Sequence, residues 1–182
     1  MISVLPSMSA AEFARTGPET DDCELIRGKV VRFPLPTALG GAVCTRIAIL
    51  LGGFKKSRGR GCVLSNHTGF ITSTNPDSVR AIDVAFFLNS PWTGPTPDRF
   101  LTEAPDLAVE VRSEDQPWKA LLEKANEYLK MGTRMVWIID PKTERMTVFE
   151  PDREPTTYTA ESEFDGAEVL PGLKFKVAEI FE

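Results

Sequence analysis

Two acids stand in the middle of apolar, strand-forming runs: Asp83 in VRAIDVAFFL (79–88) and Glu110 in DLAVEVR (106–112). Side chains alternate across a strand, so Asp83 shares a face with Ala81, Ala85 and Phe87, while Ile82, Val84, Phe86 and Leu88 share the other. The same split sets Asp106, Ala108, Glu110 and Arg112 against Leu107, Val109 and Val111. An acid inside a strand is costly to bury unless a cation meets it, and the small alanines leave room for an ion and a substrate group. If the two strands are neighbours, Asp83 and Glu110 can converge on one hard cation such as magnesium. A competing expectation pairs Asp83 with Arg80 and Glu110 with Arg112 on a solvated sheet face, and the residues alone leave the two readings even.

Three further residues could do chemistry. Glu24 alternates with Ile26 in a short strand and, taken alone, reads as a surface acid. Lys124 lies at the margin of an apolar helical stripe formed by Trp118, Leu121, Leu122, Ala125, Tyr128 and Leu129. Glu123, Asn126, Glu127 and Lys130 fall on the outer face, which leaves Lys124 as the lysine of this helix placed to reach the sheet; an isolated lysine there more often lays its stem over apolar surface. His67 is the one histidine, so mechanisms that need a histidine pair or a histidine-rich zinc site are excluded, and a lone histidine reads as structural. There is no Walker A loop, no G-x-G-x-x-G and no G-x-S-x-G, which argues against nucleotide binding and serine hydrolase chemistry.

The elements that must position these groups follow from periodicity and punctuation. Ser9 and Glu12 have capping-box spacing for a short helix that runs to about Arg15 and ends at Gly17-Pro18. CELIRGKVVRF predicts a hairpin around Arg27-Gly28, closed by Pro34 and Pro36. Leu39, Val43, Ile47, Leu50, Leu51 and Phe54 recur at helical spacing, and Gly59 and Gly61 terminate that helix. Strands are expected over 62–72, 79–88, 106–112, 135–140 and 146–150, with a helix over about 115–131 that Gly132 stops. Short extended pieces and a terminal turn, VAEIF, complete the chain. The strand, helix and strand from 106 to 140 suggest a parallel crossover, and hairpins near 24–33, 63–88 and 135–150 supply antiparallel pairs. The expectation is an α/β fold, a mixed β-sheet flanked by helices, in one domain over residues 1–182. Trp92 and Phe100, in the proline-rich stretch 89–105, would cover the core or an oligomer interface.

Composition sets the outer bounds. Of 182 residues, 42% are hydrophobic and 26% charged, ordinary globular usage that leaves no room for a long disordered tail. No apolar run approaches the roughly 20 residues that span a bilayer, and MISVLPSMSA lacks a basic region followed by a long apolar one, so export is not expected. Cys23, Cys44 and Cys62 are odd in number and widely spaced, so they are expected as reduced thiols of a cytoplasmic protein. With a net charge of −5, any attraction to nucleic acid must be local. Lys55, Lys56, Arg58 and Arg60 are the candidates, although cations at the end of a helix are ordinary complements of its dipole.

CELIRGKVV, VRAIDVAFF, EAPDLAVEVRSED, KANEYLKMGTRMVWIIDP and VLPGLKFKVAEIF, in this order and spacing, resemble the Uma-two family of the PD-(D/E)XK nuclease superfamily over nearly the whole chain. The resemblance implies a restriction-endonuclease-like core and metal-dependent hydrolysis of DNA phosphodiesters with magnesium or manganese. It matches Asp83 to the motif aspartate, Glu110 to the motif glutamate, Lys124 to the active-site lysine and Glu24 to an additional acid. The mechanism expected from this set has Asp83 and Glu110 bind one or two ions, with Glu24 and the Val111 carbonyl assisting. It also implies a homodimer. The superfamily lysine usually stands two residues after the acid, where this chain has Arg112. Ile82 replaces the usual proline, Glu114 replaces a proline after Ser113, and Gly40-Gly41 stands where relatives often carry His-Gly. Pro105-Asp106 imitates the motif, but four residues at about 3.3 Å each put Asp106 roughly 13 Å from Glu110, too far to share an ion. The alternative is a nuclease fold without catalysis, serving as a nucleic-acid or protein-binding module.

Overall fold

The structure is a computed structural model in which residues 7–16, 22–33, 35–97 and 99–182 are described. Helix α1 (Ala10–Arg15) starts at the expected capping box, Ser9 with Glu12; the Gly17-Pro18 stop and Pro34 lie outside the described residues. Strands β1 (Cys23–Ile26) and β2 (Lys29–Arg32) form a hairpin in register, Ile26 opposite Lys29. Arg27 and Gly28 make its two-residue turn at φ 48° and 75°, both left-handed, which matches the twist of a hairpin. A Cβ at Gly28 would also run into Ser7, so glycine is required there twice over.

Helix α2 (Ala38–Arg58) buries Val43, Ile47, Leu51 and Phe54 against the sheet and ends at Gly59 with φ 68°. Lys55, Lys56 and Arg58 lie in its last turn, where they complement the helix dipole. By length and composition α2 is apolar enough to cross a membrane, with a mean hydropathy of 1.4 over 18 residues. Glycines, Thr45 and Arg46 interrupt its apolar residues, so no unbroken apolar run of that length stands in the sequence.

Strands β3 (Cys62–Ser73) and β4 (Ser78–Phe87) form the longest antiparallel pair. Strand β5 (Leu107–Val111) pairs antiparallel with β4 and parallel with β6 (Met135–Asp140), and helix α3 (Trp118–Met131) makes the crossover. Helix α3 begins at Trp118 rather than near 115 because Pro117 is its N-cap and disfavours helix at the residue before it. Strands β7 (Arg145–Phe149) and β8 (Thr156–Thr159) extend the sheet antiparallel. The eight strands run β2-β1-β4-β5-β6-β7-β8, with β3 on β4, a mixed sheet as expected. A small ladder of β9 (Glu163–Asp165) and β10 (Lys174–Lys176) and a terminal 3-10 helix (Val177–Ile180) follow.

Three apolar clusters cover the sheet. Helix α2 and the C-terminal segment enclose Val84, Phe86, Leu107, Val109 and Trp137; α3 encloses Ile82, Ala85, Phe87, Ala108 and Ile138; α1 covers Leu25 and Val79. Strict alternation along β4 fails in its middle: Ile82 packs with Ala85 and Phe87 instead of with Val84 and Phe86. The cause is a bulge on β3, where Asn66 and His67 lie between the Ser65–Val84 and Thr68–Ile82 pairs and oppose Asp83 alone. Trp92 packs on the α3 cluster and Phe100 on the α1 cluster, so both cover core.

Candidate active site

Strand β4 gives one edge to β3 along its length and divides the other between two strands. Strand β1 meets that edge at Val79 and β5 meets it from Val84 to Phe86, leaving residues 80–83 in the fork between them. Side chains replace the missing ladder. The Ala81 N–H donates to Glu24 Oε1 at 3.1 Å, and the Val111 N–H donates to Asp83 Oδ2 at 2.6 Å. Asp83 Oδ1 accepts from His67 Nε2 at 3.0 Å.

Helix α3 brings groups from residues i, i+3 and i+4 onto this fork, positions that share one helix face. Lys124 Nζ lies 2.8 Å from Glu110 Oε2 and 2.9 Å from Glu24 Oε1. Tyr128 donates its hydroxyl to Glu110 Oε1 at 2.6 Å. Arg80 donates through Nε and Nη2 to both oxygens of Glu127 at 2.7 and 2.6 Å, and through Nη1 to Glu24 at 2.9 Å. Three carboxylates, Glu24, Glu110 and Glu127, thus share two permanent cations, Arg80 and Lys124, and Asp83 adds a fourth negative charge within electrostatic reach of Lys124.

Burial in this company shifts several groups. Loss of water raises the Glu110 carboxyl to about 7; Lys124 opposes the rise, and the charges of Asp83 and Glu24 add to it. Burial also disfavours the Glu24 carboxylate, but Lys124 and Arg80 outweigh it and hold its pKa below the usual range. Lys124 is desolvated too, yet Glu110, Glu24 and Asp83 keep its ammonium charged above the ordinary lysine value. The Tyr128 phenol is raised, first by burial and then by Glu110 and Glu24. The hydrogen bond to Asp83 raises His67 against its burial. From α2, the Cys44 thiol is pushed up to about 12 by burial and by the nearby charges of Asp83 and Glu110.

Asp83, Glu110, Lys124 and Glu24 are therefore gathered in one place, with the Val111 backbone beside Asp83. The alternative pairings do not form: Arg80 binds Glu24 and Glu127, and Arg112 binds Asp140 at 2.8 Å and the Gln116 carbonyl at 3.2 Å. Asp106 is spent elsewhere, accepting from the Leu88 N–H and pairing with Arg134. Sequence reasoning missed four members. Glu127 was expected on the outer face, although its spacing of three from Lys124 places it on the same side; Arg80 and Tyr128 were read as a surface partner and a core aromatic. His67 carried one signal, a polar Asn-His pair inside an otherwise strand-forming run.

Residues 10–178 match the family Uma2, described as "Putative restriction endonuclease". The chain belongs to the Uma2 family. Membership supports a nuclease-like function. The fold of this Uma2 protein is also that of a crystal structure titled as a "putative nuclease belonging to DUF820" from Anabaena variabilis, with a TM-score of 0.82 and 23% identity over 96% of this chain and 97% of that one. None of the curated proteins compared with it matches.

Among the described residues no three His, Cys, Asp or Glu side chains converge as a complete ligand set. A cation in this Uma2 site would rest on Asp83 and Glu110, with backbone and water filling the remaining positions, as magnesium tolerates. The donor chemistry fits. Both are hard oxygen donors, each oxygen keeps a second lone pair beyond the bond it already accepts, and the surplus of carboxylate over cation is relieved by added positive charge.

Proposed function

We propose that this Uma2 protein is a metal-dependent endonuclease that hydrolyses phosphodiester bonds of DNA. The observation that carries the reading is the single ammonium of Lys124 set between Glu110 and Glu24, with Asp83 held at the adjoining fork. Asp83 and Glu110, with the Val111 carbonyl, would hold magnesium or manganese. Such an ion supplies activation of water and neutralises charge on the scissile phosphate.

The chain's own residues supply the rest. Lys124, kept charged, orients the attacking water or meets the developing negative charge. Tyr128 fixes the Glu110 carboxylate, and Glu24 holds Lys124 from the other side. Arg112, already tied to Asp140 but still 31% exposed, can touch a phosphate at the rim.

The test is incubation with supercoiled DNA and magnesium or manganese, with EDTA controls. Wild-type protein should cut only with metal, and Asp83→Ala, Glu110→Ala and Lys124→Ala should each lose about a hundredfold or more while remaining folded. Cleavage retained by these variants would defeat the assignment.

One observation favours a second reading, a nuclease fold that binds nucleic acid or protein without cutting. Both Glu110 oxygens are already engaged by Lys124 and Tyr128. Thermal unfolding separates the two readings: a metal that binds only the folded state raises the melting temperature, and the non-catalytic module shows no such rise.

A further inference from the structure

We propose that His67 is a positioning residue for Asp83, which makes the β3 bulge a working part of the acidic site. The inference rests on Asp83 being a cation-binding carboxylate, as in the proposed function. Asn66 and His67 both adopt left-handed backbone, at φ 64° and 53°. For residues other than glycine such a conformation is unfavourable and persists where its surroundings fix it. Here the surroundings are specific. Thr68 Oγ1 donates back to the Ser65 carbonyl at 2.8 Å and closes the bulge. The imidazole meets Phe33 edge to face, with ring centroids 5.5 Å apart, and points its Nε2 at Asp83 Oδ1 from 3.0 Å.

Asp83 is consequently held at both oxygens, one by the Val111 N–H of β5 and one by His67 of β3. Two bonds from different strands stop the carboxylate from rotating, so the orientation it offers to an ion is preset. His67 does not serve the core. Its side chain is 30% exposed and, with Asn66, Phe33 and Ala81, it lines an open cleft of about 590 Å3. The bulge thus spends an unfavourable backbone to bring one imidazole to one carboxylate at the wall of a cleft.

The experiment uses the full chain with His67→Ala and with His67→Gln, which keeps an N–H donor at similar reach. Manganese is titrated alone by calorimetry, kcat and KM are measured on supercoiled DNA, and urea midpoints are taken in EDTA. His67→Ala should weaken manganese binding and lower kcat by about tenfold or more, with KM for DNA and the urea midpoint little changed, and His67→Gln should regain most of both losses. Unchanged manganese affinity and kcat in His67→Ala, beside an active wild type, overturn the role of His67 and leave the proposed function standing. Equal losses in both variants, together with lowered urea midpoints, make His67 structural and also overturn it. A wild type that binds manganese but cuts nothing overturns the nuclease reading while the titration still decides His67. A wild type that neither binds nor cuts overturns both.

Discussion

Glu110 divides its two oxygens between an ammonium and a phenol, and the balance of these partners against burial gives it an unusual titration. Its carboxyl sits at about 7 in the folded protein, against an ordinary value of 4.5. The folded state therefore holds this proton more tightly than the unfolded chain does. The resulting stabilisation is complete below about pH 4.5 and is lost as pH rises through 7. Glu24 has the opposite sign: its lowered carboxyl stabilises the fold above its unfolded value, and that contribution is lost as pH falls through the folded one. In EDTA, the urea midpoint of the wild type should carry a decline between pH 5 and 7 that Glu110→Gln removes, leaving the acid-side loss in place. A decline that survives in Glu110→Gln would assign it to another group.

At the level of elements, α3 does most of the positioning, because three of its side chains reach the fork from one face. Leu121, fully buried one turn before Lys124, anchors that face on the sheet. Leu121→Ala should cost about 3 kcal/mol in urea unfolding and lower cleavage beyond what the stability loss explains, since Lys124 loses its fixed base. The stripe on α3 was legible because period 3.6 shows directly in the sequence, and it placed Lys124 correctly. Glu127 was not recognised, since it was judged by polarity rather than by its spacing from Lys124. The β3 bulge was less accessible still. Alternation along β4 carries no mark of an extra residue on its partner strand, so Ile82 was expected on the wrong side and His67 was read as a bystander.

For the whole molecule, most strands and the three α-helices among the described residues could be read from hydrophobic period and from glycine and proline punctuation. Strand order could not. Nothing local in Cys23–Ile26 says that β1 will lie against β4, some fifty residues away, beside the end of β5. That placement depends on long-range packing of Leu25 and Val79 under α1, and it alone turns Glu24 from a surface acid into a buried one.

The strand fork has a further consequence for how the sheet breathes. The Ala81 and Val111 amide protons are retained by carboxylates, not by the carbonyls of a neighbouring strand. Their exchange with deuterium should accelerate in Glu24→Ala and Asp83→Ala respectively, while amides in the regular β5–β6 ladder keep their protection. If protection at both sites is unchanged in these variants, other acceptors hold them. If it falls as expected, the Val111 proton becomes a built-in reporter of what Asp83 is bound to, readable before any nucleic acid is added.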